Sequence, residues 1–340
     1  LETLYFSGGY QLMRPFLSGV GAILTFHHVR PPREDAFQPN RLLEVTPAFL
    51  EQVVSTLRKR DIDIVSLDEM HRRVASGDFG RRFVALTFDD GYRDNLEFAA
   101  PILKRHAAPF AIYVPSSFAE GRGELWWTVL ERAIAGSPFI EFDLDGRTRR
   151  YTCATADAKA ETFASVYWLL RNRDSETSLR DVVRELAFVH RIDMMRLCGD
   201  LCMTWAELRD LARDPLVTIG AHTVTHPMLR KLPDDAAYAE IKIGADRIAA
   251  MLGKRPEHLS FPIGDPSAAG PREFALATEL GFKTAVTTRP GVLFPDHASH
   301  FTALPRISMN GEFQRRRYLD VLLSGAPTAL MNGFRRVDAA

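Results

Sequence analysis

Phe83-Val84-Ala85-Leu86-Thr87-Phe88-Asp89-Asp90-Gly91-Tyr92 is the stretch that decides the fold. Apolar and strand-favouring residues run without interruption into two adjacent carboxylates and then a glycine. A continuous apolar run of this length suits a strand buried on both faces, as in a parallel sheet or barrel. Asp89 and Asp90 then lie at its C-terminal end, where parallel α/β folds carry catalytic side chains. Two neighbouring Asp residues repel each other, and neither favours a strand. A compensating charge is expected beside them, and a metal ion is the simplest one.

On either side the chain alternates. Residues 22–26 read as a first strand ending at His27-His28. Thr46 as N-cap and Pro47 at the first helical position open a helix with an apolar stripe of Phe49, Leu50, Val53, Val54 and Leu57. Residues 62–65 read as a second strand, and Ser66 with Glu69 as a capping box for a helix that stops near Gly77. A helix over 95–106 and a strand over 110–114 follow the central stretch. The alternation resumes after residue 203. Thr204 and Glu207 cap a helix, 216–221 is a strand, and a long helix runs from Asp234 to Gly253. A short strand over 259–262, a helix over 271–280 and a strand over 284–287 complete the series. Such repetition predicts parallel strands with right-handed crossovers. No glycine-rich dinucleotide fingerprint follows any strand, which weighs against a nucleotide-binding open sheet.

Between residues 116 and 203 the alternation breaks. Runs at 139–144 and 147–152 flank Asp145-Gly146 and predict a hairpin. Helices are expected over 125–135, 156–171 and 178–189, so the segment reads as an insertion in one catalytic domain spanning 10–340. Trp126-Trp127 near its start read as core, the alternative being one ring that faces the cleft and stacks on a sugar. Residues 1–9 resemble a protease-site scar and are set aside as a tag remnant. A helix is expected near 316–323 in the arginine-rich tail.

The 340 residues are 46% hydrophobic and 25% charged, which predicts a globular protein with a sizeable core. Lys+Arg and Asp+Glu are both 43, so no net field draws the chain to nucleic acid or to a membrane surface. No apolar run is long enough to span a bilayer. Cys153, Cys198 and Cys202 are too few for a disulfide framework and read as reduced thiols, which points to the cytoplasm. Self-association into a homo-oligomer stays open.

The second informative stretch is Ile219-Gly220-Ala221-His222-Thr223-Val224-Thr225-His226-Pro227. Pro227 biases His226 away from helical geometry. Both histidines therefore belong to a loop just beyond a strand, at the same rim as Asp89-Asp90. Two imidazoles and one carboxylate make a three-ligand site with room for water, the pattern of catalytic zinc.

These residues resemble a known family. Thr87-Phe88-Asp89-Asp90-Gly91 matches the first motif of the polysaccharide deacetylases, the nodulation-protein-B homology domain of carbohydrate esterase family four. His222-Thr223-Val224-Thr225-His226 matches the second, and Phe261-Pro262-Ile263-Gly264-Asp265 is similar to the third. The resemblance runs from about Ala22 to Ser308, interrupted by the insertion. It implies an α/β fold, a distorted (β/α)7 barrel. It implies a divalent metal, most often Zn2+, held by Asp90, His222 and His226, with Asp89 as general base. It implies an oxyanion donor at the Ile263 N–H, and places Tyr92 and Pro262 at the substrate.

The chain departs from the family pattern in three places. The arginine of the third motif, which orients the base, falls at Ser260; Arg306 in Leu304-Pro305-Arg306-Ile307 is the expected replacement. An Asp-x-x-Asp-Trp motif is not visible. The late Leu-x-x-His that supplies the general acid is missing as well; His27 or His28 at the first strand, and His297 or His300, are the candidates. The function expected is removal of N-acetyl groups, at a carbon–nitrogen bond, from a chitooligosaccharide or related N-acetylated oligo- or polysaccharide. The alternative is a non-catalytic barrel that keeps a metal- or carbohydrate-binding site; it has no need of the extra carboxylate Asp89.

Overall fold

Side-chain alternation along Phe83–Phe88 organises the computed structural model, which describes residues 1–339. Phe83 and Ala85 point into a barrel and pack with Ile23, Tyr113, Val286 and Leu304. Val84, Leu86 and Phe88 point outward and meet the helices. The barrel has seven parallel staves: β1 (Gly21–Phe26), β2 (Phe83–Phe88), β3 (Phe110–Val114), β4 (Val217–Ala221), β5 (His258–Ser260), β6 (Thr284–Pro290) and β7 (Leu304–Ser308). Spatial order follows chain order, and the ring closes where β1 pairs with β2 from Gly21↔Phe83 to Phe26↔Phe88 and with β7 at Leu24↔Ile307. This is the (β/α)7 fold, and every C-terminal strand end opens at one mouth.

Two sequence expectations change in detail. The strand at Asp63–Val65 is not a stave: it pairs with the first half of β2, whose second half pairs with β3 on that edge. Ser66 does cap its helix by accepting from the Glu69 N–H at 3.1 Å. The return half of the box is missing, because the Glu69 carboxylate is drawn to the Arg72 and Arg73 guanidinium groups instead. Thr46 and Thr204 cap as read.

The insertion folds as helices Trp126–Ala135, Ala156–Arg171, Glu176–Val189 and Met194–Leu201 around the hairpin Phe139–Leu144 and Arg147–Thr152. Its core of Val129, Leu130, Phe142, Val166, Leu170 and Val183 is continuous with Tyr92, Met228 and Ala268 from the barrel rim. It is therefore built onto the mouth. The segment read as a tag remnant includes a short helix, Glu2–Phe6, and Leu4 and Tyr5 pack with Tyr10, Val321 and Ala326. Among the described residues all three cysteines are free and buried, and no helix is long and apolar enough to cross a membrane.

Candidate active site

Asp89 and Asp90 follow β2 directly, and strand parity should send them to opposite faces. Asp89 keeps the inward parity of Phe83 and Ala85. Asp90 escapes the alternation because its backbone is left-handed, at φ 70°. That conformation is uncommon for a residue with a side chain. It turns the second carboxylate toward the mouth as well.

The second-motif loop is bent in the same way, with Thr223 at φ 66° and His226 at φ 60°. Several contacts hold it. His226 N–H donates to Thr223 Oγ1 at 3.2 Å. The Glu240 carboxylate accepts from Val224 and Thr225 N–H, both at 2.9 Å. Glu240 lies on the helix Asp234–Leu252, which comes close because Gly244 has no Cβ; one there would meet the Thr223 backbone at 2.6 Å. The insertion holds the other side. Arg180 donates to the Thr225 and His226 carbonyls at 3.1 and 3.2 Å, and Glu176 accepts from Met228 N–H at 3.3 Å.

Held this way, His226 Nε2 lies 3.3 Å and His222 Nε2 3.5 Å from Asp90 Oδ1. One ligand atom from each of the three residues falls within 4.8 Å of the others, and all three residues are buried. His222 Nδ1 lies 2.6 Å from the Ser260 carbonyl and donates to it, which leaves Nε2 as a lone pair facing Asp90. Metal-ligating histidines are oriented by such bonds. Asp90 Oδ1 is buried with no hydrogen-bond partner. An unpaired buried carboxylate oxygen is costly, and a divalent cation among these donors removes the cost, so the residues fit a metal. Burial pushes the His226 imidazole down to about 3 against the pull of Asp90. Burial also works to raise the Asp90 carboxyl, but the facing His226 and His222 hold it well below the usual carboxylate range.

Asp89 is bound differently. Arg306, buried inside the barrel on β7, forks onto it at 2.8 Å to Oδ1 and 2.6 Å to Oδ2. The guanidinium is fixed in turn by the Thr287 carbonyl at 2.8 Å and by Ser260 Oγ at 3.1 Å. Ser260 occupies the position of the missing third-motif arginine, and Arg306 reaches the same carboxylate from another stave. Burial tends to raise the Asp89 carboxyl, and the charge and hydrogen bonds of Arg306 hold it low.

Ile263 sits at φ 63°, with Gly264 N–H bonded back to the Pro262 carbonyl at 2.6 Å. This left-handed γ-turn is rare and strained, especially for a β-branched residue. The Ile263 N–H makes no backbone hydrogen bond among the described residues. Gly264 closes the turn at φ 67°, and a Cβ there would meet Thr288 N at 2.8 Å.

His27, Asp89, Asp90, His222, His226 and Ile263 line one cavity of about 480 Å3. Trp126 and Trp127 line it too while staying buried, so the core reading and the cleft reading both hold in part. Two assignments are corrected. Tyr92 is fully buried and does not line the cavity; its ring stacks on His28 and its hydroxyl accepts from Trp127 Nε1 at 3.2 Å. Pro262 is likewise behind the surface, where its carbonyl shapes the turn. Among the histidine candidates, half-buried His27 faces the site, and its imidazole is pushed down by burial. His28 turns away to Asp94 at 2.6 Å. His297 bonds the Phe294 backbone, His300 is exposed, and neither lines the cavity. Arg180, Glu176 and Glu240 carried no recognisable motif, since each acts through a contact made only in three dimensions.

Comparison with known proteins bears on the fold and the family. The structure is similar to a Streptococcus pyogenes deacetylase, PplD, in complex with acetate (18% identity, TM-score 0.59, 88% of this chain and 97% of that one). It is similar to IcaB from Ammonifex degensii (16% identity, TM-score 0.55, 89% and 97%). A de-N-acetylase from Aggregatibacter actinomycetemcomitans also aligns (14% identity, TM-score 0.55, 88% and 99%). At such identities the likeness is one of fold. No curated protein matches the sequence. The profile described as polysaccharide deacetylase matches residues 76–141 and 148–285. The chain belongs to the polysaccharide deacetylase family.

Proposed function

We propose that this protein removes the acetyl group from an N-acetylated sugar with the help of a divalent metal, Zn2+ first among them. One observation carries the reading. A carboxylate fixed by a buried arginine stands beside an Asp/His/His set whose carboxylate oxygen has no hydrogen-bond partner. Asp90, His222 and His226 hold the metal. When bound, such an ion supplies Lewis acidity, lowering the pKa of a coordinated water from ~15.7 toward ~7.

The chain's own residues do the rest. Asp89, ionised under the hold of Arg306, takes the proton of the attacking water. The Ile263 N–H, aimed by its strained turn, receives the negative charge that develops on the acetamide oxygen. His27, which lines the same cavity, relays a proton to the departing amine. Acetate leaves and a free amino sugar remains; the acetate complex of a protein of like fold supports that product. Chitooligosaccharides are the first substrates to try, and the three free cysteines favour action in the cytoplasm.

The test is acetate release from N-acetylated chitooligosaccharides, with and without added zinc, by the protein and by Asp89→Asn. The expected result is zinc-dependent release that Asp89→Asn abolishes while still binding zinc. Zinc binding without turnover on any acetylated glycan would leave the non-catalytic binding role instead.

A further inference from the structure

The cavity above the Asp/His/His set has two unlike parts. Its floor is polar and catalytic. Its outer wall comes from the turn Pro39–Leu43 and from two helices of the insertion, and it is largely apolar: Leu42, Leu43, Trp126, Phe163 and Trp168. Several polar groups along that wall are already engaged. Asn40 gives its amide N–H groups to the Trp127 carbonyl and Glu131, at 3.0 and 2.7 Å. Thr288 donates to the Ile263 carbonyl at 2.6 Å. Arg171 gives its terminal nitrogens to Tyr167, at 3.4 Å, and to Asp265 and Ser267, at 2.7 and 3.2 Å.

A second sugar ring in this space would bring hydroxyls against Leu42, Leu43 and Phe163, which have no side-chain atom to bond them, and a buried hydroxyl without a partner is costly. A hydrocarbon chain meets no such penalty. Volume points the same way: about 480 Å3 is the size of a small-molecule pocket. The Arg171–Asp265 pair also ties the insertion to the third-motif loop. Both residues line the cavity, so the tie forms part of its wall.

We propose that the outer cavity binds an alkyl-type chain carried by the substrate, so that the preferred substrate is an amphiphilic N-acetylglycoside. This rests on the deacetylase reading for its chemistry, but not for its binding. Trp168 is 55% exposed at the rim and Ala164 is exposed one turn before it, so both can be changed without touching the core.

Two measurements separate the inference from the reading beneath it. The first is tryptophan fluorescence titration of the metal-free protein with methyl, butyl and octyl N-acetylglucosaminides, kept below micelle concentrations, and with chitotetraose. The second is zinc-supported acetate release from the same compounds. Affinity should rise by roughly tenfold or more from methyl to butyl, the limit being about fourfold per buried methylene. The octyl-to-methyl ratio of kcat/KM should rise likewise. Trp168→Ala and Ala164→Glu, with folding checked by circular dichroism, should each bring the octyl-to-methyl ratio toward one. Affinity that ignores alkyl length while chitotetraose binds more tightly than the methyl glycoside would overturn the proposal. Tight alkyl-dependent binding with no acetate from any compound would uphold the pocket and sink the deacetylase reading.

Discussion

Arg306→Ala is the most informative single change. Arg306 is 1% exposed and gives bonds to both Asp89 oxygens, the Thr287 carbonyl and Ser260 Oγ. Its removal strands Asp89 in the barrel at 2% exposure without a countercharge. Breaking one partner of a buried pair costs roughly 3–5 kcal/mol, against a total stability on the order of 5–15 kcal/mol. The variant should therefore fold with a clearly lower melting temperature. The chemical effect is separate. Arg306 is what holds the Asp89 carboxyl low against burial. Without it burial prevails, the carboxyl titrates higher, and the base is protonated over part of the neutral range. A positioned general base is worth roughly 10²–10⁴ in rate, so kcat should fall at least a hundredfold at neutral pH. The acid limb of the pH–rate profile should move upward, while zinc content, carried by other residues, stays near one ion per chain. Arg306→Lys keeps the charge but loses the fork and should fall between. The assay is kcat/KM across pH, with metal content and melting temperature measured on the same samples. A stability loss with an unshifted pH profile would refute the reasoning and reduce Arg306 to a structural strut.

Other outcomes follow from the same geometry. Arg180→Ala removes the donors to the Thr225 and His226 carbonyls and should weaken zinc binding by roughly 10–100-fold in a competition titration, with saturating zinc restoring much of the activity; an unchanged affinity would dismiss the insertion as a support of the metal loop. Gly264→Ala forces a Cβ to 2.8 Å from Thr288 N in a left-handed residue. It should cost about 1–2 kcal/mol or more and depress kcat more than it raises KM; wild-type melting and turnover together would argue against the strained turn. The metal-free protein should lose stability in acid. His226 stays neutral in the fold down to about pH 3, whereas an unfolded imidazole titrates near ~6.5. The unfolded chain therefore binds more protons across that window, and stability falls as pH drops through it. Asp90, whose carboxyl is also held low, extends the loss in the same direction at still lower pH. A melting temperature that is flat from pH 7.5 to 5 would contradict this.

The sequence by itself carried the barrel and the floor of the site. The Phe83–Phe88 run announced a strand buried on both faces, and its junction with Asp89-Asp90 marked the rim where the candidate site lies. The His222/His226 pair before Pro227 placed the other donors at the end of another strand. Such features are local: period, turn chemistry and residue type lie within a few positions of one another. What the sequence could not carry are the contacts that depend on closing the ring. Arg306 could be suspected, yet only the register of β7 against β6 and the ring closure at β1 and β2 bring it to Asp89. Tyr92 and Pro262 sit inside or beside motifs and still fail to reach the cavity, because burial is decided by what packs over a residue. The left-handed turns at Asp90, His226 and Ile263 are the clearest case. Asp and His tolerate such a turn better than most residues and a β-branched Ile does not, but residue type alone selects none of these positions; Arg180, Glu240 and a helix brought close at Gly244 brace the loop around His226, and Gly264 closes the turn at Ile263. Local chemistry writes the elements and the ligand types, while the backbone strain that aims them is stabilised only by tertiary contacts far away in the chain.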